Sequence, residues 1–213
     1  MKTKLIAALL LIVTSATAQD KKFEMAIAKN LQQMKDAKTP EEWQKSANGF
    51  ERIADAEPNQ WLAQYYAGYT NVLSGMFQSA NDKKDIFYDR ALGYISKADE
   101  VSPDNSEIYV LKSWVLGMKI GVDPMNRGRE LGPEAGMLSA TAKELNPENP
   151  RVYFLMGQSA MYTPEQFGGG KTRALPLLET AVEKFKVFKP ASAIMPDWGA
   201  KQAEEALEQC KKM

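Results

Sequence analysis

Histidine is absent from all 213 residues. Without imidazole, the Ser-His-Asp and Cys-His nucleophile arrangements, the common zinc sites and the usual proton shuttle at neutral pH are unavailable. Only one cysteine is present, Cys210, so no disulfide can form within the chain. It is expected as a small hydrophobe buried against the last helix, with an intermolecular disulfide or a free thiol as the alternatives. Neither charge sign dominates: 27 basic residues face 27 acidic ones. Nucleic acid needs a basic footprint from which counterions are released, and there is none. No apolar run reaches the roughly 20 residues of a membrane-spanning helix.

The first 18 residues, MKTKLIAALLLIVTSATA, carry Lys2 and Lys4, an apolar run from Leu5 to Val13, and Ala16-Thr17-Ala18 ahead of Gln19. A basic start, a short apolar stretch and small residues at the end make a cleavable secretory signal. The expectation is a periplasmic or secreted protein starting near Gln19, with no stable membrane anchor after cleavage. Removing Lys2 and Lys4 leaves 25 basic against 27 acidic residues, a net charge of −2. Residues 19–213 are enough to bury about two-thirds of the unfolded chain's surface as one domain.

Gly and Pro punctuate this domain into segments of helical length, and alternating β-branched runs are nearly missing. Thr39-Pro40-Glu41-Glu42 is a capping box with Pro at the first helical position. Trp43, Ala47, Phe50 and Ala54 then recur on one helical face. The periodicity predicts helices near 23–38, 40–57, 59–79, 82–101, 104–120, 127–146, 150–162, 171–188 and 197–212, with 190–196 as the last connector. The class is all-α.

Three segments align with one another: RIADAEPNQWLAQYYAGY from Arg52, KADEVSPDNSEIYVLKSW from Lys97 and TAKELNPENPRVYFLMGQ from Thr141. Pro58, Pro103 and Pro147 recur at intervals of 45 and 44 residues, and Gly68, Ser113 and Gly157 each follow ten residues later. A proline ends one helix and sets the turn into the next, while a small residue lets two helices approach closely. Over about residues 40–188 this pattern resembles the tetratricopeptide repeat. The repeat's first-helix aromatic corresponds to Tyr109 and Tyr153, and its glycine to Gly68 and Gly157. Its second-helix alanines correspond to Ala91 with Ala98, Ala135 with Ala142 and Ala174 with Ala181, and the large residue between them to Ile95 and Leu178. Gln64, Lys112, Ser113 and Ser139 depart from the pattern. The period exceeds the family's roughly 34 residues, and the excess falls between the two helices of each repeat, predicting widened loops there.

The resemblance implies a right-handed α-solenoid of about four helix pairs plus a C-terminal capping helix. It also implies a concave surface lined by the first helices, with Tyr65, Tyr69, Glu107, Trp114, Met118, Arg151, Phe154, Gln158 and Tyr162 facing a partner. Aromatic and Met side chains there suit an apolar or aromatic-bearing segment; equally, widened loops folding over them would make them core. The expected function is a non-catalytic protein-protein interaction module or scaffold of the cell envelope, binding an envelope protein or peptide segment. The alternative is a small-molecule-binding accessory protein with an apolar cavity under the inserted loops. A third is an enzyme using carboxylates, Lys or Tyr. No cofactor, metal or catalytic residue is predicted.

Two loops raise narrower questions. GGGKT at 168–172 ends like a phosphate-binding loop, G-x-x-x-x-G-K-[ST], but Glu165 stands where its first glycine belongs and a helix, not a strand, precedes it. The glycines are therefore expected to be mechanical, supplying positive φ in a widened loop, with an anion at the next helix N-terminus as the alternative. Gly121 to Arg129 reads as a second long loop whose Asp123, Arg127 and Arg129 are expected to be solvated, with a small polar site as the alternative.

Overall fold

The computed structural model describes residues 2–213, with side chains from Gln19 on; the signal reading of residues 1–18 lies outside the described side chains. Nine α-helices follow in order: α1 (Lys2–Asp36), α2 (Pro40–Ala56), α3 (Trp61–Met76), α4 (Asn81–Val101), α5 (Ser106–Val122), α6 (Pro124–Leu145), α7 (Pro150–Tyr162), α8 (Lys171–Val187) and α9 (Ala200–Lys212). Among the described residues there are no strands, and no helix is long and apolar enough to cross a membrane.

Local chemistry sets the boundaries. Thr39 caps α2 as expected: its hydroxyl accepts from the Glu42 N–H at 3.3 Å, and the Glu42 carboxylate accepts from the N–H groups of Lys38 and Thr39. Those two backbone donors hold the Glu42 pKa below its ordinary value. The turns after α4 and α6 repeat one device 44 residues apart, in which Asn105 and Asn149 accept at the N-termini of α5 and α7 from Glu107 N and Arg151 N.

Helices pack as sequential hairpins, α3 on α4, α5 on α6 and α7 on α8, and α3 touches α5 while α5 touches α7. The inner helices are therefore covered on most sides. α3 buries nearly its whole length from Leu62 to Gly75, whereas α4 buries only Tyr88, Ala91, Ile95 and Ala98, and α8 only Ala174, Leu178 and Ala181. Cys210 is buried and unpaired on α9, which lies against α8.

The three small-residue positions meet equivalent surroundings. A Cβ on Gly68 would lie 2.6 Å from Ile95, and one on Gly157 would lie 2.8 Å from Leu178. Ser113 replaces the glycine in the middle hairpin, and there the matching large residue is also a serine. The Ser113 hydroxyl lies 2.7 Å from the Ser139 hydroxyl and donates to Ala135 O at 2.8 Å. The two departures from the repeat pattern are thus one compensated exchange: a hydrogen-bonded serine pair fills the space of a glycine and an aliphatic side chain.

In two of the three hairpins the added residues are not where the sequence placed them. Only four residues separate α3 from α4, and Asp123 alone separates α5 from α6. In both hairpins the excess lengthens the helices instead. Pro124 sits in the first turn of α6, where a missing N–H costs nothing, and interior glycines cost only about 1 kcal/mol each; Pro133 lies inside α6, which continues past it with one intrahelical hydrogen bond fewer. Asp123 caps α6 by accepting from Asn126 N. Arg127 is not a solvated loop charge but grips Asp85 of α4 through both guanidinium nitrogens at 2.6 and 2.7 Å, and that hydrogen-bonded pairing holds the Asp85 carboxyl below its usual pKa. Only the α7–α8 link, residues 163–170, is a widened loop.

Candidate functional site

Residues 188–199 do more than connect α8 to α9. α9 starts at Ala200, three residues later than expected, and the preceding strap lies across the inner helices. Its anchors are side-chain bonds: the Tyr66 hydroxyl donates to Ile194 O at 2.8 Å, Arg151 donates to Trp198 O at 3.2 Å, and Trp198 Nε1 donates to the Tyr65 hydroxyl at 2.9 Å. Lys35 of α1 pairs with Asp197 at 3.0 Å.

Beneath the strap is an aromatic platform. Tyr65 and Tyr69, one turn apart on α3, are parallel to within 3° with centroids 6.5 Å apart, and Trp114 of α5 adjoins Tyr69 at 6.1 Å, tilted by 41°. The Trp198 indole covers both neighbours, 4.8 Å from Tyr69 and 5.7 Å from Trp114, inclined 26° to each. Trp198 thus stacks on both Tyr69 and Trp114, which are themselves neighbours tilted to one another. Trp114 and Trp198 also join the two hydrophobic clusters of the molecule, one built by α1–α5 and the other by α5–α9.

One edge of the platform is charged. Arg151, 1% exposed, donates to both oxygens of Glu107 at 2.6 and 2.7 Å, and its guanidinium carbon lies 4.6 Å from the Phe188 ring centroid and 5.7 Å from that of Trp198. Burial alone pulls its pKa down, but the bonds to Glu107 outweigh burial and raise it. Tyr65, Tyr66 and Tyr69 have pKa values raised chiefly by burial, so their hydroxyls stay protonated. An open cleft of about 480 Å³ flanks this edge, bounded by the α4–α5 turn, Arg151 and strap residues Phe188 to Ala191. A smaller groove of about 320 Å³ lies between α1 and α2, away from these groups.

Of the nine sequence-predicted site residues, Tyr65, Tyr69, Glu107, Trp114 and Arg151 converge here. The open groove expected for them is corrected: Tyr65, Tyr69, Arg151 and Phe154 are buried, while Glu107, Trp114, Met118 and Gln158 are half-buried. Phe154 belongs to the second hydrophobic cluster, Met118 packs on the first, and Tyr162, 67% exposed, stands at the end of α7 outside both. The covering element is the strap, not inserted loops. Trp198 is the residue that sequence reasoning missed. The expected last helix, 197–212, takes it in as a helical residue, whereas it lies in the irregular segment before α9.

The glycine loop is mechanical, as expected. Gly168 and Gly170 have φ of +82° and +90°. All three glycine N–H groups are used, by Glu165 O, Pro164 O and Ala160 O, so no cradle of free donors remains for a phosphate. Lys171 donates to Lys211 O at the end of α9. Among the described residues no group of three or more His, Cys, Asp or Glu side chains is placed to hold a metal ion.

No protein-family model matches the chain, and no curated protein matches it. Among solved structures it is similar to the HusA haemophore from Porphyromonas gingivalis, with 34% sequence identity over 89% of this chain and 93% of that one, and a TM-score of 0.80. Identity at that level, spread over nearly all of both chains, carries common descent as well as a common fold, and the chain belongs to the family of HusA.

Proposed function

We propose that this chain is an exported, non-catalytic carrier that binds a flat, largely apolar small molecule of the haem class on the platform of Tyr65, Tyr69 and Trp114. The supporting observation is the platform itself: three neighbouring aromatic rings from two helices, with a buried cation at the edge. Offset stacking on such rings favours a planar ligand beyond the area it hides, and a haem-type molecule joins an apolar plane to carboxylates. The kinship with a haemophore points the same way. A docking groove for an envelope peptide has less support, because the strap already covers the surface such a peptide would use. Repeated hairpins with equivalent contacts at Gly68, Ser113 and Gly157 favour a tetratricopeptide-like right-handed solenoid as the frame.

Metal ligation would contribute little to holding the ligand. Histidine is absent, and the Tyr65 and Tyr66 hydroxyls are protonated and engaged in hydrogen bonds. Haemin and metal-free protoporphyrin IX are therefore expected to bind with affinities within about threefold of each other, since a factor of three is only about 0.7 kcal/mol. Titrations followed by porphyrin absorbance and tryptophan quenching test this. Trp114→Ala removes one tile and should weaken both ligands about tenfold, the equivalent of about 1.4 kcal/mol. Absence of saturable binding of either porphyrin refutes the reading.

A further inference from the structure

Trp198 has an unusual set of neighbours for a core residue. It is half-buried, comes from an irregular segment, and stacks on Tyr69 and Trp114 as a separate planar group. We infer that Trp198 is a tethered stand-in for the ligand, and that the strap 188–199 must lift it from the platform before a planar aromatic acid can bind. This inference rests on the carrier reading and adds how the site is gated and what its edge recognises.

Three features of the strap suit that role. First, its hold is local. Among the described residues, the backbone hydrogen bonds inside 189–198 reduce to Met195 N to Ser192 O at 3.2 Å; the rest of its hold is the side-chain bonds to Tyr66, Arg151, Tyr65 and Lys35 and the packing of Ile194 and Met195 on the first hydrophobic cluster. Segments with few backbone bonds open at low free energy while the helices beneath stay folded. Second, it has a defined swivel: Gly199, at φ +110°, sits where a Cβ would strike Phe185, so the chain turns into α9 at a point that only glycine tolerates. Third, lifting Trp198 frees recognition groups together. It bares the Tyr69 and Trp114 faces, releases the Arg151 N–H now given to Trp198 O, and leaves the Tyr65 hydroxyl without its indole partner.

The exposed constellation is an apolar plane with a cationic N–H and a hydroxyl at one edge. Its complement is a planar aromatic molecule bearing a carboxylate. A plane larger than an indole covers Tyr65, Tyr69 and Trp114 together, and so displaces Trp198 although the tether holds that indole at an effective concentration of order millimolar.

The test uses the full chain, with haemin and protoporphyrin IX as probes. A strap open about a tenth of the time lowers apparent affinity about tenfold, so Trp198→Ala should bind both porphyrins about tenfold more tightly than wild type, opposite in sign to Trp114→Ala. In the wild-type protein, chymotryptic cleavage after Trp198 should accelerate when porphyrin is added, because the indole is expelled. This second measurement needs no variant and stands even if Trp198→Ala folds poorly. Wild-type binding that protects Trp198 from cleavage, or a Trp198→Ala affinity equal to or weaker than wild type, overturns the strap and leaves the carrier reading intact. No binding by either form overturns both, whereas binding by the variant alone supports a closed strap.

Discussion

Replacing Glu107 by alanine removes both acceptors of a guanidinium that is 1% exposed. Losing one partner of a buried ion pair typically costs about 3 to 5 kcal/mol, because the other charge is left without its counterion. Two features of this site place the expected cost at the lower end, about 3 kcal/mol. Trp198 O still accepts from Arg151 at 3.2 Å. Phe188 and Trp198 also present ring faces to the cation, each contributing about 0.5 to 2 kcal/mol. For a domain of this size such a loss lowers Tm by about 6 to 12 °C. Urea unfolding at neutral pH measures it, read as a shift in midpoint at unchanged m-value. The companion Glu107→Leu/Arg151→Met variant, which replaces the pair by apolar groups of similar bulk, should lie within about 1 kcal/mol of wild type. A cost for Glu107→Ala below about 1 kcal/mol, the scale of a surface pair, would show that water reaches Arg151 freely and would refute the description of a buried, charged platform edge.

Gly157→Ala should destabilise by about 1 to 3 kcal/mol through overpacking against Leu178, and Ser113→Ala by about 1 kcal/mol through its lost hydrogen bonds; equal stability of Gly157→Ala and wild type in urea would contradict the close approach of α7 and α8. Alkali should unfold the protein early. Tyr65, Tyr66 and Tyr69 have folded-state pKa values raised by burial, so their contribution is complete below the unfolded value near pH 10 and is lost as pH rises above it, by up to about 1.4 kcal/mol per pH unit for each tyrosine. Tyr69→Phe should remove about a third of that slope in urea titrations between pH 9 and 11, and ordinary ionisation of all three tyrosines in the folded protein would refute the assignment.

Much of the frame was legible because helix signals are local. The Thr39 capping box, the prolines at 58, 103 and 147, and the small residues at 68, 113 and 157 act on neighbours a few residues away or on one partner helix, and each stands in the structure where its chemistry placed it. Even the two serine departures proved informative once they were seen to meet. Two of the three widened loops were misplaced for the same reason: a length count locates extra residues without saying whether they coil. At Asp123 the helices extended, because an aspartate cap and the distant pairing of Arg127 with Asp85 stabilised them.

Residue type and periodicity alone established an all-helical chain, a hairpin repeating at about 45 residues, and a set of aromatic and charged side chains sharing the inner faces. Whether those side chains met a solvent-filled groove or another part of the protein was a question about residues more than a hundred positions apart. Trp198 reaches Tyr65 across a separation of 133 residues, and Tyr66 holds Ile194 across 128. No local pattern encodes such contacts, since an irregular strap has no period, and its place is chosen only when the assembled helices offer an aromatic surface that water leaves uncovered at a cost.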